Sequence, residues 1–194
     1  SIDGSNSSYE VEEDDLIYVD ISDQKQSVTG KFQGAVKMMV ESDYGAAERV
    51  FGQIASSPDS KQPTVNWSLF NQGLSILLQG DLERARSVFQ RLEEKSDYTE
   101  SPEDQMLYRF FRQSSQLLSQ RKPISYDQLV NFDGKGFESM ALLAFGFQNW
   151  EHGDFDDAEE YLQIFTLNDS PDDYPWIKLL KVIPVPYLKD IQLF

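Results

Sequence analysis

The stretch Asn66–Leu92, NWSLFNQGLSILLQGDLERARSVFQRL, decides the fold of this chain. It contains two runs in which apolar residues recur at steps of three and four, the spacing of one face of an α-helix. The turn signal Gln79-Gly80-Asp81 separates the runs, so the stretch predicts two amphipathic helices packed as an antiparallel hairpin. The residues on the inner faces are Leu69, Gly73 and Ile76 in the first helix, and Leu82, Ala85, Val88, Phe89 and Leu92 in the second.

The same arrangement recurs along the chain. Two small residues, one from each helix of a hairpin, are 12 positions apart in three places: Ala35 and Ala47, Gly73 and Ala85, Gly146 and Ala158. Ala85 and Ala158 are 73 positions apart, about two repeat lengths, which predicts a further unit between them. Ser101-Pro102-Glu103-Asp104 provides the helix start of that unit, with Ser as the N-cap.

The central stretch resembles a tetratricopeptide repeat (TPR), whose pattern is Gly-x2-Tyr in the first helix and Ala-x3-Phe in the second. Here the matches are Gly73-x2-Ile76 and Ala85-x3-Phe89, with Ile in place of Tyr. The resemblance implies an all-α protein: a TPR-like right-handed solenoid of about four antiparallel helical hairpins with a C-terminal capping helix. The expected units are 28–60, 66–98, a degenerate 101–134, and 137–170 within a repeat region 28–171, followed by the cap 172–194.

Residues 1–27 precede the repeats. The chain begins with Ser-rich and then acidic residues, which indicate a solvated segment. The hexapeptide 16–21, LIYVDI, is rich in β-branched and aromatic residues and predicts an extended stretch. Its backbone needs hydrogen-bond partners, so it either seals the first helices or lies in the concave groove as a self-ligand. The first role is favoured.

Composition excludes several classes of partner. The 17 Lys and Arg residues against 33 Asp and Glu residues give a formal net charge of −16, which repels phosphate backbones and anionic lipid surfaces. Nucleic acid binding is therefore not expected. Direct membrane insertion is not expected either, since no run approaches the 18 or more apolar residues of a membrane span.

The chain lacks cysteine and starts at Ser1, without Met. A start without Met is typical of a truncated chain, from which a signal peptide, an anchor or a further domain could have been removed. An extracytoplasmic location is favoured over a cytoplasmic one.

No catalytic constellation is visible, and we predict a protein that is not an enzyme and uses no cofactor or metal. The sole histidine, His152, precedes Gly153 at a predicted helix end, where histidine commonly bonds the last carbonyls. The acids between Asp154 and Glu160 do not form a calcium-loop pattern, and acids in a first helical turn are expected without any metal.

What remains is a surface. In TPR-like arrays the first helix of each hairpin lines a concave groove, and the resemblance assigns nine residues to it: Trp67, Phe70, Leu74, Leu77, Tyr108, Phe111, Leu143, Phe147 and Trp150. This groove is apolar and aromatic, unlike one that clamps a carboxylate. Either the chain's own tails, 16–21 or 182–194, fill it, or it receives an apolar segment of a partner.

The leading functional hypothesis is therefore a non-catalytic scaffold or adaptor that binds a protein or peptide partner in this groove. A second hypothesis is a ligand-binding module whose groove accepts an apolar or carbohydrate segment through Trp67, Trp150 and neighbouring Tyr or Phe residues.

Overall fold

A computed structural model describes residues 27–95, 101–120, 127, 133–171 and 173–181. Within these residues the secondary structure is entirely α-helical, which confirms the predicted all-α class. The helices are α1 Val28–Val40, α2 Tyr44–Ser56, α3 Thr64–Leu77, α4 Leu82–Lys95, α5 Pro102–Leu118, α6 Phe137–Glu151, α7 Phe155–Leu167 and α8 Pro175–Leu180. The predicted extended stretch 16–21 lies outside the described residues. Most of the second half of the predicted unit 101–134 and the part of the predicted cap beyond Lys181 lie outside them as well.

Helices that follow one another in the chain pack side by side. Such contacts join α1 to α2, α2 to α3, α3 to α4, α4 to α5, α5 to α6 and α6 to α7. The start of α5 has the predicted cap, because Asp104 N–H donates to Ser101 Oγ at 3.0 Å and Pro102 occupies the first turn. The described chain is thus a row of consecutive helix pairs.

Three hairpins use the same turn between their helices. The residue before the second helix's N-cap has a positive φ in each: 65° at Ser42, 89° at Gly80 and 84° at Gly153. The next residue is always aspartate, and its backbone N–H donates to the carbonyl five residues earlier. These bonds join Asp43 to Met38 at 2.8 Å, Asp81 to Ile76 at 3.4 Å and Asp154 to Asn149 at 2.9 Å. The bond satisfies a helix-end carbonyl, so the repeated sequence spacing corresponds to a repeated backbone geometry.

Small residues allow the helices of a hairpin to approach closely. A Cβ atom at Gly73 would lie 2.6 Å from Cε1 of Phe89, and a Cβ at Gly146 would lie 2.6 Å from Cγ of Leu162. Ala47, Ala85 and Ala158, the second marker in each hairpin, have no exposed surface. The core therefore runs continuously through the hairpins.

Candidate functional site

The side chains predicted to line a groove lie mostly in the core. Tyr108 is half-buried, and the other eight are buried: Trp67, Phe70, Leu74, Leu77, Phe111, Leu143, Phe147 and Trp150. Solvent is excluded from nearly all of α3, where even Asn66, Ser68 and Ser75 are buried. The eight buried side chains are therefore not accessible to a partner in this structure.

Aromatic residues of the same chain surround Trp67. Its ring centroid lies 5.7 Å from that of Phe110, 4.7 Å from that of Phe111 and 5.8 Å from that of Tyr174. Burial raises the pKa of the Tyr174 hydroxyl to about 12, because the phenolate would lose its hydration. The chain thus fills the space beside α3 with α5 and with the residue just before α8.

Trp150 has no exposed surface and packs against Phe147, with ring centroids 5.7 Å apart. The carbohydrate hypothesis requires Trp67 and Trp150 to be open faces on which a sugar could stack. Both indoles are instead enclosed, so this hypothesis has no support from the described surface.

A buried ionic cluster joins α6 to the chain around α8, and nothing in the sequence pattern indicated it. Ser139 Oγ donates to one carboxylate oxygen of Asp173 at 2.6 Å, and Lys181 Nζ donates to the other at 2.6 Å. Lys181 Nζ also donates to the backbone carbonyl of Asn168 and lies 5.4 Å from the ring centroid of Phe165. Both oxygens of the Asp173 carboxylate accept hydrogen bonds, so the cluster fastens the C-terminal part of the described chain to the α6–α7 hairpin.

A second buried cation bridges helices that are distant in sequence. The guanidinium of Arg86 on α4 donates to Glu83 at 2.8 Å and to the carboxylate of Glu151 at the end of α6. The side chain of Arg86 is 8% exposed. Gln148, one turn before Glu151, donates to the carbonyl of Leu117 at 3.3 Å. Helices α4, α5 and α6 therefore meet at this point.

The residues considered above for catalysis or metal binding lie at helix ends. His152 is exposed as the C-cap of α6, and its backbone N–H donates to the carbonyl of Gln148 at 3.1 Å. Asp156 and Asp157 lie in the first turn of α7. Among the described residues, no group of three or more His, Cys, Asp or Glu side chains is placed to hold a metal ion. In that same part of the chain, no helix has the length and apolar character to cross a membrane.

The surface of α7 contains a feature that sequence reasoning missed. Leu167 is 81% exposed and Ile164 is 44% exposed. Over the described residues the only other exposed large hydrophobic side chain is Met106 on α5, at 49%. Ile164 and Leu167 are one helical turn apart and lie on the side of α7 opposite its buried residues, which are Ala158, Leu162 and Phe165. An alignment of the three hairpins on their alanine markers could have singled them out.

No protein-family model matches this chain, and no curated protein and no solved structure matches it. Its function is therefore argued from the geometry above.

Proposed function

We propose that this protein is a non-catalytic protein–protein interaction module, built as a TPR-like right-handed solenoid of about four helical hairpins. The observation that carries the proposal is the repeated unit. Three hairpins share the αL-Asp turn and the 12-residue spacing of small markers. Stacked helical-hairpin repeats form extended surfaces that proteins use for recognition.

The placement of polar side chains favours binding over catalysis. Ser139 is fully buried and its hydroxyl donates to Asp173, so a substrate could not approach it. His152 projects from a helix end, where no nucleophilic side chain is paired with it among the described residues. The buried charges of Arg86 and Asp173 tie helices together and leave the outer helix surfaces as the recognition area.

The nine predicted groove residues do not carry this proposal, because eight of them are buried. The module is instead expected to bind through outer helix faces. This removes the need for a partner to open the core, which would cost several kcal/mol of packing free energy for each large side chain displaced.

The test is capture of a partner by the immobilised full chain from an extract of the source organism, followed by reconstitution. The matched control is an unrelated globular protein of similar net charge, which removes proteins that bind any polyanion. The expected result is a protein that is retained by this chain alone and binds the purified chain with a saturable 1:1 isotherm. Retention of the same proteins by both baits would contradict the proposal.

A further inference from the structure

The outer face of α7, defined by Asp156, Asp157, Glu160, Ile164 and Leu167, differs from the same face of the other hairpins. When Ala158 is aligned with Ala47 and Ala85, the position of Ile164 corresponds to Gln53 in α2 and to Arg91 in α4. Both of these residues are exposed. Leu167 aligns in the same way with Ser56 and Glu94. The fold therefore accepts polar residues at both positions, and the hairpin does not require Ile or Leu there.

Charge distinguishes the same face. In the same alignment Asp157 takes the position of Arg84 in α4, and Glu160 takes the position of Arg49 in α2. Helix α7, FDDAEEYLQIFTL, has four acids and no Lys or Arg. Over the described residues no ion pair uses Asp156, Asp157 or Glu160. The helix dipole accounts for acids in the first turn, but Glu160 lies in the second turn, beyond most of that effect.

We propose that the outer face of α7 binds a cationic amphipathic helix of a partner protein. The partner's apolar side chains would cover Ile164 and Leu167, and its Lys or Arg residues one to two turns away would pair with Asp156, Asp157 and Glu160. This is recognition of an amphipathic helix by an apolar strip, with the acidic end setting orientation and accelerating encounter. The inference rests on the proposed function and names the surface and the class of partner.

Charge complementarity selects this occupant over two others. An anionic membrane would be repelled by the acids of the face and by the net charge of −16. A second copy of the chain would bring its own three acids to the interface without a cation from α7, and close like charges oppose association. A cationic amphipathic helix can cover the apolar residues Ile164 and Leu167 and also pair with the three acids.

The test uses the full chain and a fluorescein-labelled synthetic helical peptide that has Leu on one face and Lys on the opposite face. The chain is titrated into the peptide, and binding is followed by fluorescence anisotropy at low and high salt. A scrambled peptide of the same composition separates amphipathic recognition from attraction of any cation to a polyanion. The test variant is Ile164→Gln/Leu167→Ser, which introduces the residues of α2 and should fold. Met106→Gln is the matched control for loss of exposed apolar surface elsewhere.

We expect the amphipathic peptide to bind at least tenfold more tightly than the scrambled one. The double variant should lose about tenfold in affinity and Met106→Gln less than twofold, while Asp156→Asn/Glu160→Gln should weaken binding mainly at low salt. Equal binding of the two peptides, or an unchanged affinity of the double variant, would overturn the proposal. A wild-type dimer that the double variant dissociates would assign the face to a second copy and would also overturn it. A fall in Tm of more than about 4 °C in the double variant would mean that the chain itself packs against Ile164 and Leu167, which would also overturn the proposal.

The two proposals fail in distinguishable ways. If the double variant still captures the partner found with the wild-type chain, the interaction module stands and this face is not its site. If neither bait retains a specific protein, the proposed function itself fails.

Discussion

Gly73 of α3 lies directly against the ring of Phe89 on α4, so closely that a Cβ atom at Gly73 would be 2.6 Å from Cε1. Both residues are fixed by the marker pattern of the repeat, and Phe89 has no exposed surface. The contact sets how near the two helices of the second hairpin approach. Gly146 and Leu162 form the equivalent contact between α6 and α7.

Gly73→Ala should destabilise the protein even though alanine is the better helix former. The added methyl group would overlap the Phe89 ring, and overpacking of this kind costs about 1–3 kcal/mol. Gly34→Ala is the matched control, because Gly34 lies within α1 and a Cβ there meets no atom within 4 Å. That change should be neutral or stabilising by up to about 1 kcal/mol. Urea unfolding of the two variants measures the difference, and equal midpoints would contradict the packing argument.

Trp67→Ala should lower the free energy of unfolding by about 3–5 kcal/mol, as expected for a large aromatic removed from a core. Its ring contacts Phe110, Phe111 and Tyr174, and those contacts would be replaced by a cavity. Tyr108→Ala is the comparison, because Tyr108 was assigned to the same groove but is only half-buried. A Trp67 variant that kept wild-type stability would mean that this side chain is available to a ligand.

The sequence could predict the hairpins but not whether their aromatic faces are buried or line an open groove. Gly73 and Ala85 are local marks at fixed spacing, and the turn glycines Gly80 and Gly153 adopt the positive φ that such turns require. By contrast, an aromatic residue such as Trp67 on a helix face fits either a core or an open groove. The choice depends on contacts with Tyr174, more than a hundred residues away in the chain, which no local pattern encodes.

The candidate surface was missed for a related reason. The acids in the first turn of α7 fit the helix dipole, and single exposed apolar residues such as Leu167 are ordinary on protein surfaces. Ile164 and Leu167 stand out only by comparison with the polar residues Gln53 and Ser56, which occupy the same outer positions in α2. The sequence gives no sign of the buried Asp173–Lys181 pair either. Its third member, Ser139, lies on a different helix, and no local pattern predicts that it contacts Asp173.

Lys181→Met should be strongly destabilising, because it leaves the carboxylate of Asp173 buried with Ser139 as its remaining side-chain partner among the described residues. Breaking one half of a buried ion pair typically costs about 3–5 kcal/mol. Lys178→Met is the matched control, since Lys178 lies on the adjoining helix α8 and is exposed, and its effect should stay within about 0.5 kcal/mol. The double variant Lys181→Met/Asp173→Asn should recover part of the loss, and no recovery would show that Lys181 acts through packing alone.

Arg84 links the first two hairpins, and its removal should change how stability depends on pH. Hydrogen bonds from the Arg84 guanidinium lower the pKa of Glu48 on α2 and the pKa of Asp81 in the turn below their ordinary values. Carboxyl groups with lowered folded-state pKa values contribute stability that is present above their unfolded pKa values of about 4 and is lost as pH falls through the folded values. Because Arg84 is half-exposed, solvent screening limits the contribution to about 1 kcal/mol or less.

Arg84→Gln should therefore be less stable than the wild-type chain at pH 7, and the difference should shrink as the pH is lowered below about 4. The matched control is Arg49→Gln, an exposed arginine on α2 that should not change the acid limb of the stability profile. Thermal unfolding between pH 7 and pH 3 measures both variants, with 1 M NaCl reducing the Arg84 effect. A difference between Arg84→Gln and the wild-type chain that stayed constant down to pH 3 would mean that Arg84 stabilises the hairpins through its aliphatic packing and not through the two carboxylates.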